Sequence, residues 1–287
     1  MAVKFLGQFL LEKGLIDKQQ LLAALDAQRA SNPLLGELAQ ACGWLSPGQA
    51  AEVNALQRSQ DRPFGVIAQS LGLLTEAQVD ALLAQQKSRR RLFGEILVDL
   101  GFLSSEQVGL ALELQASERD SAIQGLDIGV AGHALEPVLR TAIDTCNRLF
   151  MRTLKRRSQF SNLVGSAADV AGCTVAGHVR VDSATPLWVG VACDRATAAA
   201  IASAFLSMPG GSCEDSLARD AVGELINVLM GYVVKETLPE DARYHPAPPD
   251  FSIPLSDLLM GDALAVSMAS ELGPFVLMVG REAPGSR

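Results

Sequence analysis

Small and apolar residues return at a fixed interval through the first part of the chain. Glycines stand at Gly7, Gly36, Gly65 and Gly94, each 29 residues apart, and Gly14, Gly43, Gly72 and Gly101 follow seven residues after each. Asp17, Ser46, Thr75 and Ser104 come three residues later again, and Gln20, Gln49, Gln78 and Gln107 three after those. Such a period marks a repeat fold and takes precedence over local readings. One unit predicts a short helix from Phe5 to Lys13, closed by a glycine suited to the left-handed C-cap. Leu15 and Ile16 follow, and Asp17 with Gln20 forms a capping box that satisfies orphan N–H groups at the start of a second helix. Leu21, Leu22 and Leu25 supply the apolar face of that helix, and Pro47 sits at the first helical position of the second copy. A unit this small cannot bury a core alone, so the copies are expected to pack on each other.

The period stops at Gln115. The polar, Gly-containing stretch that follows suggests a boundary, so residues 1–118 read as the helical repeat domain, 119–131 as a linker and 132–287 as a second domain. There a helix is expected from about Leu135, with Val138, Ala142, Cys146, Leu149 and Phe150 at helical spacing. It ends in the cationic run Lys155, Arg156, Arg157, which complements a helix C-terminal dipole. Strands are expected at Ala171–Val181 and Pro186–Cys193, joined by a turn at 182–185. Helices follow at Ala196–Leu206 and about Cys213–Leu238, with a Pro-Gly-Gly break at 209–211 between them. A Pro-rich connection (Pro246, Pro248, Pro249), a short segment at Phe251–Ile253 and a hairpin of Ala263–Ser270 with Pro274–Val279 complete the pattern. The chain is therefore multidomain: an all-α domain of helical hairpins, then an α/β (α+β) domain whose mostly antiparallel sheet is covered by helices.

Composition narrows the partners. The 287 residues are 48% hydrophobic and 20% charged, with a formal charge of −8 and 5% aromatics. That balance argues for folded domains, and an acidic surface with few aromatics is poorly suited to a nucleic-acid polymer. No apolar stretch approaches the roughly 20 residues that span a bilayer. Gln8, Glu12 and Lys13 interrupt the N-terminal apolar run, which does not read as a signal peptide. Cys42, Cys146, Cys173, Cys193 and Cys213 are scattered, which suits free thiols in a reducing, cytoplasmic setting. His133, His178 and His245 have no paired neighbours, so no metal site is expected.

The repeat resembles the MshEN family, the N-terminal domain of type II secretion and pilus ATPases. Leu6, Gly7, Leu10, Gly14, Leu21, Leu25 and Gln28 match its motif in the first copy, and the resemblance covers residues 4–116 in four copies. In several members such motifs bind cyclic di-GMP through a leading arginine, which would place Gly7, Gly36, Gly65 and Gly94 in a nucleotide site. Here the arginine positions hold Phe5, Leu34, Pro63 and Leu92, with Arg62 and Arg91 one residue early. The alternative is a helical docking module without ligand. The run Lys87, Arg89, Arg90, Arg91 reads as a solvated link between copies.

The stretch from Asp220 to Gly231 carries the chemistry. At about 100° per residue, Asp220, Glu224, Asn227 and Gly231 share an arc of about 60°. Ala221, Val222, Leu225, Val228, Leu229 and Tyr232 occupy much of the remainder, and Gly223 flanks the polar strip. Helical glycine costs about 1 kcal/mol relative to alanine. Two of them beside a carboxylate and an amide suggest that another backbone approaches this face.

The pattern Asp-x3-Glu-x2-Asn resembles the CheC/CheX/FliY phosphatase family, over about residues 130–282. Phe251-Ser-Ile-Pro254 through Gly261 is also reminiscent of CheX-like domains. The resemblance implies a hydrolase that removes phosphate from the aspartyl phosphate of a CheY-type receiver in chemotaxis, motility or another two-component pathway. By it, Asn227 positions the attacking water, Glu224 pairs with the receiver's lysine, and Asp220, Gly223 and Gly231 line the partner contact. The receiver would carry the Mg²⁺, and this chain would bind no cofactor of its own. Asp144 and Asn147 have the same i,i+3 spacing, but Asp replaces Glu and Arg140 replaces the preceding acid, so they read as a degenerate second site. The resemblance also implies a homodimer through sheet edges. The alternative to a phosphatase is a non-enzymatic receiver-binding or cyclic di-GMP-responsive adaptor, and the wet face of an ordinary amphipathic helix would look the same in sequence.

Overall fold

A computed structural model describes residues 4–60, 62–206, 213–239 and 244–281. The chain divides into two compact units, Leu6–Gln115 and the described residues from Ala116 onward with Lys4 and Phe5.

The first unit alternates seven-residue and longer helices: α1 Leu6–Glu12, α2 Lys18–Ser31, α3 Leu35–Ala41, α4 Pro47–Gln60, α5 Phe64–Ser70, α6 Glu76–Arg89, α7 Phe93–Asp99 and the start of α8 Ser105–Val130. Gly14, Gly43, Gly72 and Gly101 follow the short helices with φ between +68° and +70°, a conformation glycine adopts without a Cβ penalty. At each longer helix the backbone amide of the cap residue donates to the glutamine side chain three residues on, at 2.9 Å for Asp17 and 2.8 Å for Ser46, Thr75 and Ser104. The backbone amides of those glutamines donate back to the cap side chains.

Two separate apolar cores hold these helices. One joins Leu38, Leu45 and Val53 to Phe64, Ile67, Leu74 and Leu82, so the second and third helix pairs share it. The other joins Phe9, Leu10, Ile16 and Ala24 to Ile96, Leu97, Leu103 and Val108, bringing the first pair onto the fourth. Asn32 and Arg91 exchange side-chain and backbone hydrogen bonds, and the Gln86 side chain donates to the Pro33 carbonyl at 2.9 Å.

The second unit contains the rest of α8, then α9 Glu136–Leu149, β1 Ser158–Leu163, β2 Val175–Asp182, β3 Leu187–Cys193, α10 Arg195–Leu206, α11 Asp215–Thr237, β4 His245–Pro246, α12 Leu255–Leu258, β5 Leu264–Ser270 and β6 Phe275–Gly280. The strands form one antiparallel sheet in the order β1-β5-β6-β3-β2-β4. Alternate residues of β3 and β6 go to opposite faces, as the pleat requires. Val189, Val191, Leu277 and Val279 join α9, α10 and α11 in the main core. Trp188, Ala192, Val276 and Met278 join a smaller cluster that includes Leu258 of α12. Helices thus cover one face and a loop-rich layer the other, which is why β3 is buried along its whole length.

Several expectations change. The stretch 119–131, expected as a linker, is helical up to Val130. Leu126 and Val130 are buried in the main core, and a Cβ on Gly129 would run into Leu163, so tertiary packing overrides a weak local helix signal. β1 lies outside the expected strands because Ser158-Gln-Phe-Ser-Asn-Leu163 is polar; it is an edge strand, with a bulge between Phe160 and Asn162. Beside the short segment Phe251–Ile253, a single antiparallel bridge joins Asp250 to His178. α9 stops at Leu149 and passes through a π-helical turn, Phe150–Leu154, to a left-handed Lys155. Arg157 of the cationic run lies beyond this helix end and pairs with Glu271 at 2.8 Å. The Pro-Gly-Gly break at 209–211 lies outside the described residues.

The cysteines are free, and their burial sorts them. Burial pushes the Cys146 and Cys193 thiols up to about 12. Only the thiolate is nucleophilic. At pH 8 a disulfide reagent such as dithionitrobenzoate is expected to label exposed Cys42 in the native protein and to reach Cys146 and Cys193 only after denaturation. Rapid native labelling of either buried thiol overturns this.

Candidate functional site

Helix α11 lays Val222, Leu225, Ile226, Leu229, Val233 and Val234 against the sheet, all essentially buried. That fixes the opposite side toward solvent. Asp220 and Glu224 are exposed and Asn227 is half-buried. The Asn227 amide donates to a Glu224 carboxylate oxygen at 3.5 Å, a long bond between residues one turn apart. A carboxylate and an amide therefore stand together on the accessible side of a helix whose other side is locked in the core. Tyr232 differs from expectation. It is 45% exposed although its helical angle falls between those of buried Ala221 and Leu225, so its exposure comes from its place farther along the helix and not from its angle.

The two flanking glycines play different parts. A Cβ on Gly223 would meet Pro249 at 3.2 Å and the Phe251 ring at 3.4 Å, so a neighbouring segment does approach, through side chains rather than backbone. Gly231 is exposed with nothing within 4 Å of such a Cβ, so the expected close approach is missing there. The approaching segment is a strap, residues 245–251, tied to the outer edge of β2. The Ala247 amide donates to the Arg180 carbonyl at 2.8 Å, and His178 and Asp250 exchange backbone bonds at 2.9 and 2.8 Å. The Phe251 ring also lies over Gly177 of β2, where a Cβ would come within 2.5 Å of it. Two glycines, one on the sheet and one on α11, thus form the slot that receives this ring. The Ser252 hydroxyl and amide hold the Asp250 carboxyl below the usual carboxylate range. Sequence reasoning missed Gly177, Phe251 and Arg219. A glycine inside a strand pattern is a usable signal for such a close approach.

Asp144 is exposed and Asn147 half-buried on α9. The Asn147 side-chain oxygen already accepts the Ser158 hydroxyl at 2.9 Å, and Arg140 pairs with Asp127 at 2.7 Å and Glu136 at 3.0 Å. Asn147 and Arg140 are thus engaged in holding α9 to its neighbours, while Asp144 stays exposed. In the first unit the nucleotide candidates are packed as well. Cβ atoms on Gly7, Gly65 and Gly94 would approach Leu21, Val79 and Val108 to 2.7, 2.6 and 2.7 Å, and one on Gly36 would meet the Phe64 ring at 3.2 Å. These glycines let helices close on one another. Arg91 is ion-paired with Asp99, and Arg62 is exposed. Among the described residues no group of three or more His, Cys, Asp or Glu is placed to hold a metal ion, and no helix is long and apolar enough to cross a membrane.

His178, whose backbone bridges Asp250 of the strap, is 5% exposed, with Nδ1 unpartnered and the ring edge-on to Trp188 at 6.0 Å. Burial lowers its pKa below the ordinary imidazole value, against the opposing pull of Asp250. Because the unfolded state takes up a proton first, stability is full above about pH 6.5 and declines as pH falls from there toward the lowered folded value. The urea midpoint is expected to drop between pH 7 and pH 5 by more in the wild type than in His178→Gln. Equal drops would show that His178 carries none of this dependence.

No protein-family model matches the chain, and no curated protein matches it. Solved structures do. A chemotaxis protein CheX from Desulfovibrio desulfuricans is 14% identical, covering 51% of this chain and 99% of that one, with a TM-score of 0.40. A CheX-CheY-BeF3-Mg²⁺ complex from Borrelia burgdorferi is matched at 15% identity over 50% of this chain and 98% of that one, TM-score 0.39. FliY from Thermotoga maritima is matched at 16% identity over 50% and 86%, TM-score 0.37.

Proposed function

We propose that this chain removes phosphate from the aspartyl phosphate of a CheY-type receiver, with the helical unit as a regulatory or targeting module. The observation that carries this reading is the accessible Glu224–Asn227 pair on α11, within the Asp-x3-Glu-x2-Asn pattern. An amide both donates to and accepts from a water without titrating near neutrality. Asn227 holds the attacking water in line with phosphorus, and Glu224 pairs with a lysine of the receiver and fixes its orientation. The receiver contributes the acyl phosphate and its Mg²⁺. This chain adds positioning, which is a large share of catalysis in phosphoryl transfer.

The packed glycines and the paired Arg91 favour a docking role for the first unit over a nucleotide site. The test is to mix the full chain with a panel of receivers phosphorylated by acetyl phosphate in Mg²⁺ and to follow phosphate loss after the donor is removed. Accelerated loss from one receiver supports the reading. Tight receiver binding without acceleration assigns the chain to the non-enzymatic adaptor class, and no effect on any receiver overturns both.

A further inference from the structure

Arg219, Gly223 and Asn227 are spaced i, i+4 and i+8 along α11, so they form one line on its surface. The guanidinium carbon of Arg219 stands 5.8 Å from the centroid of the Phe251 ring. That distance lies within the range of a cation–π contact, which orients a guanidinium without neutralising it. Arg219 is exposed, and among the described residues it has no ion pair with a carboxylate. Its seat is built in, because the Phe251 ring is held in the Gly177–Gly223 slot and the strap is fastened to β2 through Ala247 and Asp250, just before it. A cation is therefore held in place two helical turns before the amide, on an acidic chain.

Resting on the functional reading above, we infer that Arg219 is a further binding residue of this site. It pairs with an anionic group on the docked receiver, supplied by the phosphoryl oxygens or by the carboxylates around the phosphorylated aspartate. Phe251 is its positioning residue, and the two glycines exist to admit that ring. A planar guanidinium suits both anions through paired N–H donors.

The experiment uses the full chain and the receiver whose phosphate loss the wild type accelerates. Arg219→Gln is expected to raise KM for the phosphorylated receiver about tenfold at low salt, the scale of one charge-assisted hydrogen bond, with kcat within about twofold. Raising the ionic strength narrows the gap between wild type and variant, because an exposed charge is screened. Arg219→Lys keeps the charge and recovers part of the KM. Phe251→Leu fills the slot without a π face and raises KM by less than Arg219→Gln. Binding to the unphosphorylated receiver separates the two anion sources. A loss confined to the phosphorylated form assigns the phosphoryl group, and an equal loss in both forms assigns the carboxylates. If Arg219→Gln leaves KM within twofold at low salt while Asn227→Ala abolishes turnover, the inference fails and the functional reading stands. If the wild type accelerates no receiver, or Asn227→Ala turns over normally, the functional reading fails and this inference with it.

Discussion

Asn227→Ala is expected to reduce the accelerated phosphate loss by about 10²-fold or more, to near the receiver's own rate, with no loss of fold. The size follows from what the amide does in the proposed reaction. Orienting a water against phosphorus removes disorder from the step, and small misplacements of a reacting group cost on the order of 10²-fold. Fold survives because Asn227 is half-buried and, among the described residues, its side chain bonds only to Glu224, at 3.5 Å; its backbone belongs to a helix anchored by buried Val222, Ile226 and Leu229. The measurement pairs a phosphate-release assay with a urea melt followed by circular dichroism. A variant that is fully folded and fully active would remove Asn227 from the mechanism. Asn147→Ala makes a useful contrast, since that amide is committed to Ser158. It is expected to leave turnover unchanged and to cost a little stability.

The largest stability loss is expected from Phe150→Ala. Phe150 is fully buried where α9 passes into its π-helical turn, and its ring stacks on Phe275 of β6 with centroids 5.0 Å apart and planes 6° from parallel. Truncation removes apolar burial, leaves a cavity between α9 and the sheet, and breaks the aromatic pair. Together these cost about 3–5 kcal/mol. The readout is the urea midpoint of the second unit's transition in the full chain. A loss below about 1 kcal/mol would mean that neighbouring side chains collapse into the space. Phe150→Leu keeps most of the volume and is expected to cost less.

The parts of the fold that could be read along the chain are those whose physics is local. A capping box needs two residues three apart, and Asp17–Gln20, Ser46–Gln49, Thr75–Gln78 and Ser104–Gln107 all close as spaced. The left-handed glycines after the short helices are equally local, as is the hairpin of β5 and β6. The polar strip on α11 was legible because helical periodicity alone separates Glu224 and Asn227 from the apolar positions. Periodicity placed Tyr232 less well: its angle falls between those of buried Ala221 and Leu225, and only tertiary packing sets how far along α11 that cover extends.

What periodicity leaves open is the choice of partner. Four similar helix pairs carry similar apolar faces, and nothing local says that the second should share a core with the third while the first joins the fourth. The polar β1 becomes a strand only because β5 presents an unpaired edge to it. The helix α8 continues past Gln115 because Leu126 and Val130 find a core there. The strap over Gly223 brings together β2, α11 and residues 245–251, which are distant in sequence and are united only by the fit of one ring into a slot left by two missing side chains. Residue order alone determined most of the helices, the caps of the repeat and the chemistry on one face of α11, since those depend on neighbours within a turn or two. The tertiary structure alone decided which faces meet, and so which polar groups stay in water and what stands beside them, since burial is a property of surfaces brought together from far apart.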